Sequence, residues 1–233
     1  MAEQRFRRRA SLPAAAYDLA VRLGVDPREA RDGVRLTQTG RMKRNLETSA
    51  WMAFTARQTF SSRTTAFDWL ARFGPFGLVS ARDALDRGVG RLDVMALGVF
   101  PLVRTPRTPA LMRGELMRYL AELAWAPTAI LLNESLRWRD VGPDTLAVSA
   151  GAGEIESEVF LSLDCYGRIA DAFAPDRPRS ATAPCLPTPW RGRFYDYRQH
   201  EGFWIPFVGE VAWEIDGKRD TYWEGRIKTW KTT

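Results

Sequence analysis

A single histidine and two cysteines in 233 residues leave little with which to hold a metal ion. Structural and catalytic metal sites draw on clusters of His and Cys at short spacing, and His200, Cys165 and Cys185 form no such cluster. A nucleophile–histidine triad would have to use His200, which sits in the hydrophilic run 198–202 and reads as a surface-loop residue. The glycine-rich phosphate loop, the dinucleotide glycine fingerprint and the Gly-x-Ser-x-Gly elbow are also missing. No cofactor is therefore expected: neither metal nor nucleotide. No apolar run reaches 18 residues, so no transmembrane segment is expected. The few cysteines, with nothing like a secretory leader after the N-terminal arginines, point to a reducing compartment and a cytoplasmic location.

Acidic and basic residues are nearly balanced outside one region. The formal charge of +6 comes from the first 44 residues, which hold 11 Lys and Arg against 5 Asp and Glu; the rest balance at 23 each. A neutral body without a basic stripe argues against nucleic acid as a partner. Residues 1–12, with Arg5, Arg7, Arg8 and Arg9, read as a basic flexible arm, and residues 13–233 as one domain. What the chain has in quantity is aromatic: 9 Trp within a 12% aromatic content. Rings of that size need a core or a concave surface to occupy.

Pro13 to Leu23, Ala-rich and ending at Gly24, predicts a helix, and Asp26-Pro27 opens a shorter helical piece to about Asp32. The period then changes to two. Strands are predicted over 34–42, 49–60, 67–73, 78–85 and 90–102. Further strands follow at 136–140, 145–150, 154–163, 168–174, 192–197, 203–215 and 222–231. Residues 109–125 carry helical period between Pro109 and Pro127, and the proline-rich stretch 175–191 reads as a long surface connection. The fold class expected is α+β: a mostly antiparallel, curved sheet, a half-barrel meander, with the N-terminal and central helices against one face. Such a sheet encloses a cavity, and the expected partner is a hydrophobic or aromatic small molecule.

The central helix holds the candidate chemistry. Glu115, Arg118 and Glu122 fall on one stripe by their spacing, with Tyr119 and Trp125 flanking it, while Met112, Leu116, Leu120 and Leu123 form an apolar face. Taken alone, the stripe fits a solvent-facing row of Glu–Arg pairs. Leu111 and Trp125 beside it fit a cavity wall, where Arg118 would be a preorganised cation and Glu122 or Glu115 a proton carrier.

This segment resembles an uncharacterised bacterial family whose signature runs Glu-Leu-x-Arg-Tyr-Leu-x-Glu followed by Trp-x-Pro-Thr, here Glu115 to Glu122 and Trp125 to Thr128. Trp69, Asp83, Trp138, Pro189, Trp190 and Trp213 also match the pattern. The resemblance implies a fold similar to LolA-like half-barrels that hold lipids, and no established activity. Ala126 stands where a bulkier side chain is expected. The resemblance favours the cavity reading of the stripe. The candidate catalytic set is then Glu122, Arg118, Tyr119 and Glu115, and the candidate substrate-binding set Trp125, Trp69, Trp138 and Trp213. The functional expectation is cofactor-independent acid/base chemistry of lyase, isomerase, cyclase or hydrolase type on an apolar or aromatic molecule; the alternative is a non-catalytic carrier of a hydrophobic ligand.

Overall fold

Alternation of apolar and polar side chains turns most of this chain into strands. The computed structural model describes residues 12–29, 31–74 and 76–233, so the expected arm lies outside the described residues apart from Leu12, which is buried in the core. Thirteen strands form one sheet, ordered β6-β5-β4-β3-β2-β1-β13-β12-β11-β10-β9-β8-β7, and every pairing is antiparallel. The central pair is β1 (Gly33–Lys43) and β13 (Lys218–Thr232). One arm runs outward as β2 (Trp51–Ser61), β3 (Phe67–Phe73), β4 (Val79–Asp86), β5 (Val89–Ala96) and β6 (Phe100–Arg104). The other runs outward as β12 (Phe203–Ile215), β11 (Pro187–His200), β10 (Ile169–Pro178), β9 (Ser157–Leu163), β8 (Thr145–Ala150) and β7 (Arg137–Gly142). The sheet is curved and unclosed, so β6 and β7 are its edges. Pro101 removes a donor from β6, and ion pairs from Arg137 and Arg139 to Glu156 and Glu158 line β7, both familiar defences of an open edge.

The chain crosses from one edge to the other through α2 (Pro109–Ala121), a 3-10 turn at Glu122–Trp125 and α3 (Ala129–Leu132). Helix α2 touches β4 and β5 on one arm and β8, β9 and β10 on the other, so it spans the trough between them. Its apolar row is not its only buried side: Leu111, Gly114 and Glu115 are buried together with Leu116, Tyr119 and Leu120. Thr108 caps the helix, its Oγ1 accepting from the Leu111 amide at 3.2 Å and donating to the Ala181 carbonyl at 2.6 Å. Helix α1 (Ala14–Arg22) buries Ala16, Leu19 and Ala20 and packs on α3. It ends at Gly24 (φ +91°), where a Cβ would stand 2.2 Å from the Gly202 carbonyl oxygen.

Several expected boundaries move for physical reasons. Residues 90–102 form two strands, because Leu97 (φ 52°) and Gly98 (φ 72°) take left-handed conformations and reverse the chain. Asp26 opens a turn, with the Arg28 amide on its carboxylate at 2.8 Å, and not a helix. The stretch 175–191 is shorter as a connection than its prolines imply: β10 and β11 extend to Pro178 and Pro187, which pair with each other at the end of the ladder. Among the described residues no helix is long and apolar enough to cross a membrane.

Candidate functional site

The trough beneath α2 leaves a cavity of about 690 Å³, within the range that holds small molecules. Trp69, Trp213, Trp223, Leu92, Val94 and Val211 supply apolar wall, and exposed Arg44, Asn45, Glu47 and Arg179 stand at its rim. Trp213 stacks on Tyr222 (ring centroids 6.1 Å, interplanar 20°), and Trp190 donates to the Tyr222 hydroxyl at 3.0 Å, which fixes an aromatic corner.

A buried polar chain crosses the wall. Strand alternation places Gln38 on β1, Gln58 on β2 and Asp83 on β4 facing inward among apolar neighbours. Gln38 Nε2 donates to Gln58 Oε1 at 2.9 Å, and Gln58 Nε2 donates to Glu122 Oε2 at 2.7 Å. Arg118 Nε donates to Glu122 Oε1 at 3.0 Å, and its Nη1 donates to Asp83 Oδ2. The Arg118 guanidinium lies 4.9 Å from the Phe67 ring and 5.1 Å from the Trp69 ring, a cation held by both charge and aromatic faces.

Glu115 completes the chain against Asp83. Burial pushes its pKa well above the usual carboxylate range, and the neighbouring Asp83 charge and hydrogen bond push it the same way. Asp83 Oδ1 and Glu115 Oε2 are each buried without a hydrogen-bond partner. Burial also raises Glu122, partly offset by Arg118 and by Gln58. Burial opposes the Arg118 charge more than any other single influence, yet Glu122, Asp83 and Glu115 together hold its pKa above the ordinary guanidinium value. The cluster therefore sets one cation among three carboxyls, two of which burial pushes toward the protonated form.

Residues 4–225 match the model of DUF6544, a family of unknown function. The chain belongs to that family. A search of curated proteins finds no match. Among solved structures, a LolA superfamily protein from Nitrosomonas europaea aligns over 93% of this chain and 92% of its own, at 10% identity and a TM-score of 0.48.

In this DUF6544 chain the sequence-derived candidates separate into two groups. Glu115, Arg118, Glu122, Trp69 and Trp213 all line the cavity. Tyr119, Trp125 and Trp138 lie outside its lining, as does the buried Ala126. Tyr119 is turned about 100° from Arg118 around the helix. Its hydroxyl donates to the Ser61 carbonyl and accepts from Asn133 Nδ2, both at 3.0 Å, and burial raises its pKa. Trp125 sits behind Trp223, edge-on to it, and donates from Nε1 to the Pro206 carbonyl at 2.9 Å. Trp138 is half-buried on the edge strand β7. Tyr119→Phe is expected to cost about 1–3 kcal/mol of stability, because it strips partners from two groups on neighbouring elements. Ligand affinity should stay unchanged, and thermal melts alongside binding titrations check both halves.

Asp83, Gln58, Arg177 and Trp190 join the site without having been chosen as site residues from the sequence. Asp83 had a signal, since it shares a strand face with Ala81 and Leu85, where a charge is out of place. Gln58 stands likewise between Ala56 and Phe60. Trp190 had appeared only as a match to the family pattern. Arg177, in a stretch without apolar period, had no such signal.

Proposed function

We propose that the protein binds an apolar or aromatic small molecule in the cavity under α2 and acts on it by proton transfer without a cofactor, with Glu115 as the acid. The supporting observation is a pair of buried carboxyls, Glu115 and Asp83, on the wall of an aromatic cavity, where burial and the Asp83 charge raise the pKa of Glu115. Carboxyls whose environments push their protonation apart are the usual means of running acid and base steps at neutral pH. Arg118 positions Asp83 and Glu122 by its two hydrogen bonds. Proton transfers of this kind serve lyase, isomerase, cyclase and hydrolase reactions alike. Carriage of a hydrophobic ligand is the second reading. It is favoured by the way Arg118 is already engaged on both sides, which leaves a cluster able to hold its charges without turnover.

Glu115→Gln tests the acid. Binding of the fluorophore 1-N-phenylnaphthylamine should persist, while turnover of apolar epoxides, lactones and enol esters should fall at least tenfold, about 1.4 kcal/mol. Unchanged turnover would remove Glu115 from the mechanism, and binding without turnover in the wild type would favour carriage. A pH series checks the raised pKa of Glu115 independently. The ordinary glutamate value is 4.5, and the folded protein holds the Glu115 proton above it. Stability from this group is thus complete below that value and lost as pH rises through the raised pKa, by up to about 1.4 kcal/mol per pH unit. Glu115→Gln should flatten that slope in denaturant titrations.

A further inference from the structure

Among the described residues, every buried or half-buried arginine except one is ion-paired. Arg118 has Asp83 and Glu122, Arg168 has Asp164, and Arg191 has Asp171 and Glu214. Arg177 is 9% exposed and, among the described residues, has no carboxylate within ion-pair distance. Its Nε is buried without an acceptor. A guanidinium removed from water without an ion-paired carboxylate is costly. The charge of Arg177 reaches Glu115 only across the cavity wall, with no hydrogen bond or ion pair between them, so its donors are left for a partner.

Its surroundings define what that partner is. Arg177 lies at the end of β10, where the pairing with β11 shifts register between Ala174 and Arg177, an irregularity of the kind that re-aims a side chain. The guanidinium lies over two cross-strand neighbours, 4.3 Å from the Trp190 ring centroid and 5.8 Å from that of Trp213, a cation held against aromatic faces. Gly114 of α2 lies alongside without crowding it: a Cβ there would stand in ordinary contact, 3.8 Å from Arg177 Nε and 4.0 Å from Nη2. What remains free is the donor-bearing edge, on the wall of the cavity.

We infer that Arg177, held against Trp190 and Trp213, is the head-group subsite for the carboxylate of an amphiphilic acid whose apolar part fills the same cavity. This rests on the proposal that the cavity takes an apolar molecule. A guanidinium edge matches a carboxylate through two parallel hydrogen bonds. One guanidinium edge neutralises one negative charge, and Asp83, Glu115 and Glu122 line the same cavity, which disfavours the second charge of a phosphate dianion. The ligand class is therefore a fatty or aryl-alkanoic acid.

Displacement of 1-N-phenylnaphthylamine from the full chain tests this with probes of one tail: dodecanoate, dodecanol, methyl dodecanoate and dodecyl phosphate. The wild type should bind dodecanoate at least tenfold more tightly than the alcohol or ester. Arg177→Met should erase that preference while leaving dodecanol affinity as it was. Arg177→Lys, which keeps the charge and loses the forked edge, should lose most of the preference and serves if the Met variant does not fold. Equal binding of acid and alcohol by the wild type overturns the subsite but not the cavity, as does a preference that survives in Arg177→Met. Tighter binding of dodecyl phosphate than of dodecanoate overturns the choice of carboxylate. If no probe displaces the fluorophore, the cavity reading itself fails.

Discussion

Arg118→Ala should lower the folding free energy by about 3–5 kcal/mol, the usual cost of removing one partner from a buried ion pair. The side chain of Arg118 is 13% exposed, and those of Asp83 and Glu122 are 11% and 12% exposed. Its loss leaves two carboxylates and the Glu115 carboxyl facing one another with no cation between them. A solvent-facing Glu–Arg row would give less than about 0.5 kcal/mol. Urea titrations separate these outcomes, and a shift of the smaller size would contradict the buried cluster. The deficit should shrink as pH falls through the carboxylate range, because protonation removes the uncompensated charges that cause it.

Trp125→Ala should cost a similar amount, about 3–5 kcal/mol, for a different reason. The Trp125 ring meets Phe194 edge-on at 5.2 Å and Trp223 at 6.3 Å, and its backbone carbonyl accepts from Trp230 Nε1 at 2.9 Å. Gly209 makes room for it, since a Cβ there would stand 3.1 Å from the indole. Truncation opens a hole behind Trp223, a cavity-lining residue, so ligand binding should weaken along with stability. Trp125→Phe keeps most of the volume and loses only the bond to the Pro206 carbonyl, for about 1–3 kcal/mol. Melting curves showing the two variants equally stable would contradict the role of packing.

The antiparallel meander was legible because each strand needs only local alternation to declare itself. Strands 67–73, 145–150 and 203–215 stand where their patterns place them. The reversal at Leu97 was only weakly marked, since a left-handed leucine carries no turn signature of its own and Gly98 stood as one isolated glycine inside a strand pattern. Helical spacing correctly grouped Glu115, Arg118 and Glu122 but left open which side saw water. That depended on both arms of the sheet closing around α2, a tertiary fact. Asp83 was readable in hindsight as a charge on an apolar strand face. Arg177 was not, because its burial depends on two tryptophans 13 and 36 positions further along the chain.

The place of β1 in the sheet has a consequence for how the molecule assembles. Thr37 and Thr229 share a hydrogen bond at 2.7 Å across 192 positions of sequence. A hairpin of β1 and β2 can form early, but the other side of β1 stays an open edge until a strand nearly 200 residues later arrives. Closing so long a loop is entropically slow, and topologies dominated by distant contacts fold slowly. During synthesis, the ladder that ends as the most enclosed in the molecule is thus the last to close. Until then β1 is a template for any passing strand, so aggregation in folding should start at the sheet's centre and not at its guarded rims.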